Sequence, residues 1–208
     1  MSHISVNFDR TGYQQDLNMV FPIERLNEMA AEKVIGSVAD YNYLFMGATD
    51  PAEMAPLVRK IAGFLKEDQV NAVLLAPICP NCTRAVGAHA HYLEEAGLAT
   101  TQISLVRPHT ERIRPPRELW VSFELGRPFG APGDPAFQRW LIGKALGLLE
   151  WKDGPVLEGF PEDAPASADT GDGSGWVCPV TLGASAGADA APGSMAEAVA
   201  AEMQQLRP

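Results

Sequence analysis

The feature that most constrains this chain is a continuous apolar run, Val70 to Pro77 (VNAVLLAP), set between two helical patterns. Such a run, without polar alternation, suits a strand covered on both faces, as in a parallel sheet. Before it, Pro51 to Asp68 places Met54, Leu57, Val58, Ile61, Phe64 and Leu65 at helical spacing behind Asp50, a good N-cap residue. After it, Thr83 to Ala96 has helical character and closes at Gly97, and Thr100 to Val106 (TTQISLV) is β-branched and strand-like. The unit is therefore β-loop-α-β, and its first loop holds Cys79-Pro80-Asn81-Cys82.

The flanks extend this pattern. Tyr41 to Met46 (YNYLFM) and Leu119 to Phe123 (LWVSF) are expected to be strands. Pro22 to Lys33 and Pro135 to Glu150 are expected to be helices, the second with Phe137, Leu141, Leu146 and Leu149 inward. About four strands and four helices result. The expected fold is α/β: three layers, with a mainly parallel sheet between helices on both faces.

Residues 1–152 form the expected domain. From 153 to 208 the chain is rich in Ala, Gly, Pro, Ser and Asp, which cannot bury enough apolar surface to offset chain entropy, so a flexible acidic tail is expected. One short segment near 176–180 (WVCPV) is apolar enough to dock, and Met195 to Leu206 suits a short helix. The acidity sits in this tail. Nine acidic and two basic residues from Trp151 onward give it −7 of the net −10, leaving −3 for the first 150 residues.

That charge excludes general nucleic-acid binding, which depends on basic stripes. No stretch approaches the roughly 20 apolar residues of a membrane helix, and the polar N-terminus lacks a signal-peptide pattern. Three cysteines leave one unpaired in any intrachain scheme, which points to a reducing cytoplasm rather than a secreted disulfide scaffold.

The candidate chemistry lies in the CxxC. A thiol between a parallel strand and a helix sits at the carboxyl edge of the sheet, where open α/β folds bind ligands. The helix N-terminus there favours thiolate over thiol, so Cys79 and Cys82 are candidates for redox or nucleophilic work. Cys79, at the open edge, is expected to be the nucleophile, and Cys82, in the first helical turn, the shielded resolving thiol. Cys82, Val86 and His89 share a helix face, making His89 a candidate neighbour, whereas His91 points elsewhere. Two rival readings stay open. The pair could join a metal site, although one CxxC with the distant Cys178, His89, His91 and His109 falls short of a standard zinc set; or both cysteines could be inert core residues.

Two further loops should reach the same edge. Arg107 and His109 follow a strand and are candidates to hold a substrate carboxylate. They open a run of basic residues with Arg112, Arg114, Arg117 and Arg127, whose plain alternative is a solvated loop. Gly126 and Arg127, in Glu124-Leu125-Gly126-Arg127-Pro128-Phe129-Gly130, also follow a strand, and the glycines allow close backbone approach to a ligand.

The runs APICPNCTRAVGAHAHYLEEAGLATTQISLVRP, RIRPPRELWVSFELGRPFGAP and FQRWLIGKALGLLE, in this order, resemble the glycine/sarcosine/betaine/D-proline reductase family, in particular its selenocysteine-bearing subunits. The resemblance extends from about Asp16 (DLNMVFPIERL) through Glu150. It implies an oxidoreductase subunit that cleaves a carbon-heteroatom bond in a small amino-acid-like substrate, with Cys79 at the selenocysteine position and Cys82 resolving the adduct as a disulfide. It also implies a hetero-oligomer: a second reductase subunit carrying a pyruvoyl group, and a separate thiol electron donor. No cofactor intrinsic to this chain is expected, and neither GxGxxG nor GxxxxGK[ST] occurs. The alternatives are a non-catalytic assembly subunit and a dithiol electron carrier.

Overall fold

The computed structural model describes residues 11–164. The expected docking segment at 176–180, Cys178 and the expected helix at 195–206 lie outside the described residues. Within them, six α-helices and four strands, besides two short 3-10 turns, follow in the order α1 (Thr11–Gln15), α2 (Ile23–Ala31), α3 (Pro51–Glu67), β1 (Ala72–Leu75), α4 (Pro80–Glu95), β2 (Ala99–Ser104), α5 (Arg107–Ile113), β3 (Arg117–Trp120), α6 (Pro135–Gly147) and β4 (Val156–Gly159). All neighbouring strands pair in parallel in the order β1-β2-β3-β4.

Local signals explain the central unit. The Asp50 side chain accepts the Ala52 N–H at 2.8 Å and starts α3. Gly97, at φ +86°, ends α4, with its N–H on the Glu94 carbonyl and the Leu98 N–H on the Leu93 carbonyl. Between α3 and α4, Val58, Ile61, Ala62, Leu65, Leu75, Val86, Ala90 and Leu93 form one apolar core. Leu57 and Phe64, expected inward, are exposed beside it.

Alternation along β2 separates two faces. The Thr100 hydroxyl donates to Glu94 of α4, and Ser104 hydrogen bonds to Thr110 of α5, whereas Thr101 donates to the Ala145 carbonyl of α6 at 2.6 Å. Helices α4 and α5 thus cover one face and α6 the other, the expected three layers. Because the strand order advances in one direction throughout while α6 lies on the opposite face, the α6 crossover has the opposite hand to the other two. In α6, Phe137 and Leu141 are buried as expected, joined by Ile142 and Ala145.

Three expectations change. Tyr41 to Met46 is not a strand: it has the strand alternation, with Tyr43 and Phe45 packed inward and Tyr41 and Leu44 exposed, yet those inward residues dock on the α3/α4 core instead of entering a ladder. The fourth strand is instead β4, beyond the expected domain edge at 152, in a stretch whose composition suggested a flexible tail. Its place comes from backbone pairing with β3, to which side-chain hydrophobicity contributes little. Finally, the basic loop after β2 begins with a helical turn, α5, with Pro in its first turn.

Candidate functional site

Cys79 is the N-cap of α4. Its backbone is extended, Pro80 occupies the first helical turn, and its Sγ accepts the Cys82 N–H at 3.3 Å. A sulfur so placed receives one of the helix's free N–H groups and the positive end of its dipole. The Cys79 and Cys82 sulfurs are joined in a disulfide, with Cα atoms 5.0 Å apart. Thr83 Oγ1 donates back to the Cys79 carbonyl at 3.3 Å, tightening the turn.

Neighbouring loops hold this turn through its backbone. The Gly126 N–H donates to the Ile78 carbonyl at 2.8 Å, and Gly126 adopts φ +89°, a conformation few other residues take cheaply. On the other side His109 Nδ1–H donates to the Pro80 carbonyl at 3.2 Å. Two of the expected site residues, His109 and Gly126, therefore meet the residues that flank Cys79. Ile78 also packs on the Tyr13, Met19 and Val20 cluster of the N-terminal segment.

Arg107 and Arg127 are placed differently. The Arg107 Nε bonds Glu111 at 2.8 Å while its guanidinium lies over the Trp120 ring, 5.1 Å from the centroid. Arg127 lies 3.6 Å from Glu124 within its own loop. The basic run as a whole is dispersed. Arg117 points to the opposite end of the sheet, where its Nη1 bonds Glu94 at 2.6 Å and its Nε bonds the Trp151 carbonyl at 2.8 Å.

His89 is fully buried, its ring against Phe45 at a centroid distance of 4.5 Å, and neither ring nitrogen has a hydrogen-bond partner. Burial alone pushes its pKa down to about 4, so it stays neutral at ordinary pH. It shares the Cys82 face of α4, as the spacing implied, without a contact that links it to the thiols. His91 instead bonds the Ile113 carbonyl of α5.

Accessibility reverses one expectation. Cys79 is only 7% exposed, whereas Cys82 is half-buried. The reason lies in the cap geometry, which turns Cys79 into the sheet edge beneath the Gly126 and His109 loops. Sequence reasoning also missed Gly47. A Cβ built there would lie 2.7 Å from Cys82 Cα and 2.8 Å from Cys82 Sγ, so only glycine fits against the pair without displacement. The signal available was a lone glycine ending an alternating apolar segment.

A buried acid was missed as well. Glu118 of β3 accepts from Thr110 at 2.8 Å within the polar α4/α5 face, near Gln102 and Ser104. Desolvation raises its pKa to about 7, against the lowering effect of its hydrogen bonds. Among the described residues no cluster of His, Cys, Asp or Glu is arranged to hold a metal ion, and no helix is long and apolar enough to cross a membrane.

Comparison with known proteins decides the kinship. The family model described as glycine/sarcosine/betaine reductase selenoprotein B matches residues 1–78, up to the residue before Cys79. The glycine reductase complex component B subunit gamma of Carboxydothermus hydrogenoformans is 32% identical over 148 residues, covering 68% of this chain and 34% of the relative. The D-proline reductase subunit gamma of Acetoanaerobium sticklandii is 30% identical over 147 residues, 68% of this chain and 60% of the relative. This chain is a relative of the glycine/sarcosine/betaine/D-proline reductase family. The betaine reductase complex component B subunit beta of Peptoclostridium acidaminophilum, 26% identical over 152 residues, is similar over 70% of this chain and 35% of its own length. The chain thus spans about a third of the glycine and betaine reductase relatives. No solved structure matches it.

Proposed function

We propose that this chain is a thiol-dependent reductase subunit in which Cys79 and Cys82 carry out reductive cleavage of a carbon-heteroatom bond in a small amino-acid-like substrate. The observation that carries the reading is the position of Cys79 Sγ, at the N-cap of α4 with the Cys82 N–H on it and a second thiol within disulfide reach. A helix N-terminus of this kind favours the thiolate over the thiol.

The step balances with the two thiols alone as reductant. The Cys79 thiolate attacks the substrate carbon, forming a C–S bond, and the heteroatom leaves with the bonding pair and takes a proton. The Cys82 thiolate then attacks Cys79 Sγ, forming the disulfide, and the carbon leaves with its electron pair and is protonated. One C–X bond is reduced and two thiols are oxidised. His109 and Gly126 position the nucleophile through Pro80 and Ile78; Arg107, at the start of α5, and Arg127, in the 124–130 loop, are the candidates to meet a substrate carboxylate, for which each would have to exchange its present carboxylate partner.

Relatives named as components of reductase complexes support a hetero-oligomer here too. A second subunit would carry the pyruvoyl group that activates a substrate amine, and a thiol electron donor of a reducing cytoplasm would restore the pair. The test is alkylation against pH together with turnover in the presence of the co-purified partner. Cys79→Ser should abolish turnover and the fast alkylation, and Cys82→Ser should leave Cys79 reactive and trap an adduct. Unchanged turnover in both variants would leave only the assembly-subunit reading.

A further inference from the structure

The two cysteines of the pair are not equivalently placed. The inference drawn from that difference rests on the thiol-reductase reading above. Cys79 is buried, and its Sγ accepts the Cys82 N–H at the head of a sixteen-residue helix. Cys82 is half-buried in the first turn, with Gly47 tight against one side of it. In exchange, the incoming thiolate must reach one sulfur, and the other departs as a thiolate; access governs the first, and a stabilised anion favours the second. Both criteria select the same course.

We infer that the dithiol which re-reduces the pair attacks Cys82 Sγ and expels Cys79 as the thiolate. The donor sulfur bonds to Cys82 Sγ, the Cys79–Cys82 bond breaks, and its electron pair leaves on Cys79 Sγ, where the Cys82 N–H and the helix N-terminus receive it. The donor's second thiolate then attacks the donor sulfur of the mixed disulfide, closing the donor's own disulfide and releasing Cys82 as a thiolate that takes a proton. The donor is oxidised by two electrons and the pair is reduced. Cys79 is freed first, already in the anionic form that attack on substrate requires. Gly47 then acts as a positioning residue, because any side chain there would press on the sulfur under attack.

The oxidised full-length chain, its disulfide verified by intact mass, is mixed briefly with excess glutathione and quenched with N-ethylmaleimide, and fragment spectra locate the two modifications. Glutathione on Cys82 with maleimide on Cys79, in about tenfold excess or more over the reverse, is the expected map. Glutathione mainly on Cys79, or an even split, overturns the inference while leaving the reductase reading intact. A chain that forms no Cys79–Cys82 disulfide under oxidation overturns both.

Discussion

The two ends of the sheet use the same kinds of side chain in opposite ways. At the amino ends of the strands, Glu94 accepts the Thr100 N–H at 2.6 Å, the Thr100 hydroxyl at 2.9 Å and Arg117 at 2.6 Å, and Arg117 is completed by the Trp151 carbonyl. Glu94 and Arg117 are both locked to partners there. At the carboxyl ends, the loops that surround Cys79 are held by backbone carbonyls, through Gly126 and His109, while the thiols themselves take part only in their cap bond and their disulfide. A sulfur at that end can change its bonding without dismantling the network that positions it. A charged pair thus ties down the first end, whereas the residues flanking Cys79 at the second are held by neutral hydrogen bonds.

The largest effect should come from breaking the closed end. Arg117→Ala leaves the Glu94 carboxylate partly buried and unpaired, and should cost about 3 kcal/mol in urea unfolding while leaving the alkylation rate of the thiols unchanged. A variant that loses thiol reactivity while still folded would show that the two ends are coupled.

Between the ends, the buried Glu118 gives a pH test. Its pKa is raised to about 7, above that of an ordinary carboxyl, so the folded state favours the neutral acid. Its contribution to stability is fully present below the unfolded value near 4.5 and is lost as pH rises through about 7. Glu118→Gln should remove that slope and raise stability at pH 8 by about 2 to 3 kcal/mol. His89 has the opposite sign: with its pKa lowered to about 4, its contribution is present above the unfolded value of 6.5 and lost on acidification. Denaturation of Glu118→Gln between pH 4.5 and 6.5 should therefore show stability falling with acid, a slope that the wild-type chain masks. A wild-type profile that instead falls steeply over this range would mean that the Glu118 carboxyl is ionised in the fold.

At the chemical end, Gly47→Ala should destabilise by about 1 to 2 kcal/mol through overpacking against Cys82, and should slow opening of the disulfide by a thiol even though global unfolding becomes faster. Disulfide opening that speeds up in step with unfolding would make Gly47 a packing residue alone. The smallest effect on stability is expected at Arg107, whose pair with Glu111 is exposed. Arg107→Ala should change stability by less than about 0.5 kcal/mol. If Arg107 serves a substrate carboxylate, the same variant should raise KM and leave kcat near its starting value.

How far the sequence reached depended on the range of the interactions involved. Asp50, Gly97 and the spacing of Val58, Ile61 and Leu65 act within a turn or two, so α3, β1, α4 and β2 were legible in order and nearly in extent. The sequence placed Cys79 at the helix entrance but began the helix at Thr83, whereas α4 starts at Pro80 and Cys79 is its N-cap. Tyr41 to Met46 misled because alternation reports which side chains turn inward and is silent on whether a strand lies alongside. Val156 to Gly159 escaped notice because an edge strand of four residues is held mainly by backbone bonds, which composition does not encode.

The sequence by itself determined the β-α-β unit and the presence of two thiols at a helix entrance, because caps, periodicity and CxxC spacing are local and each residue carries its own preference. Only the tertiary structure decided that Arg117 is tied to Glu94 at the far end of the sheet, that Gly47 seats on Cys82, and that Cys79 is the more buried cysteine. These depend on contacts between residues far apart in the chain, such as Arg117 with Glu94 and Gly126 with Ile78, and such contacts exist only once the sheet has brought its loops to one edge.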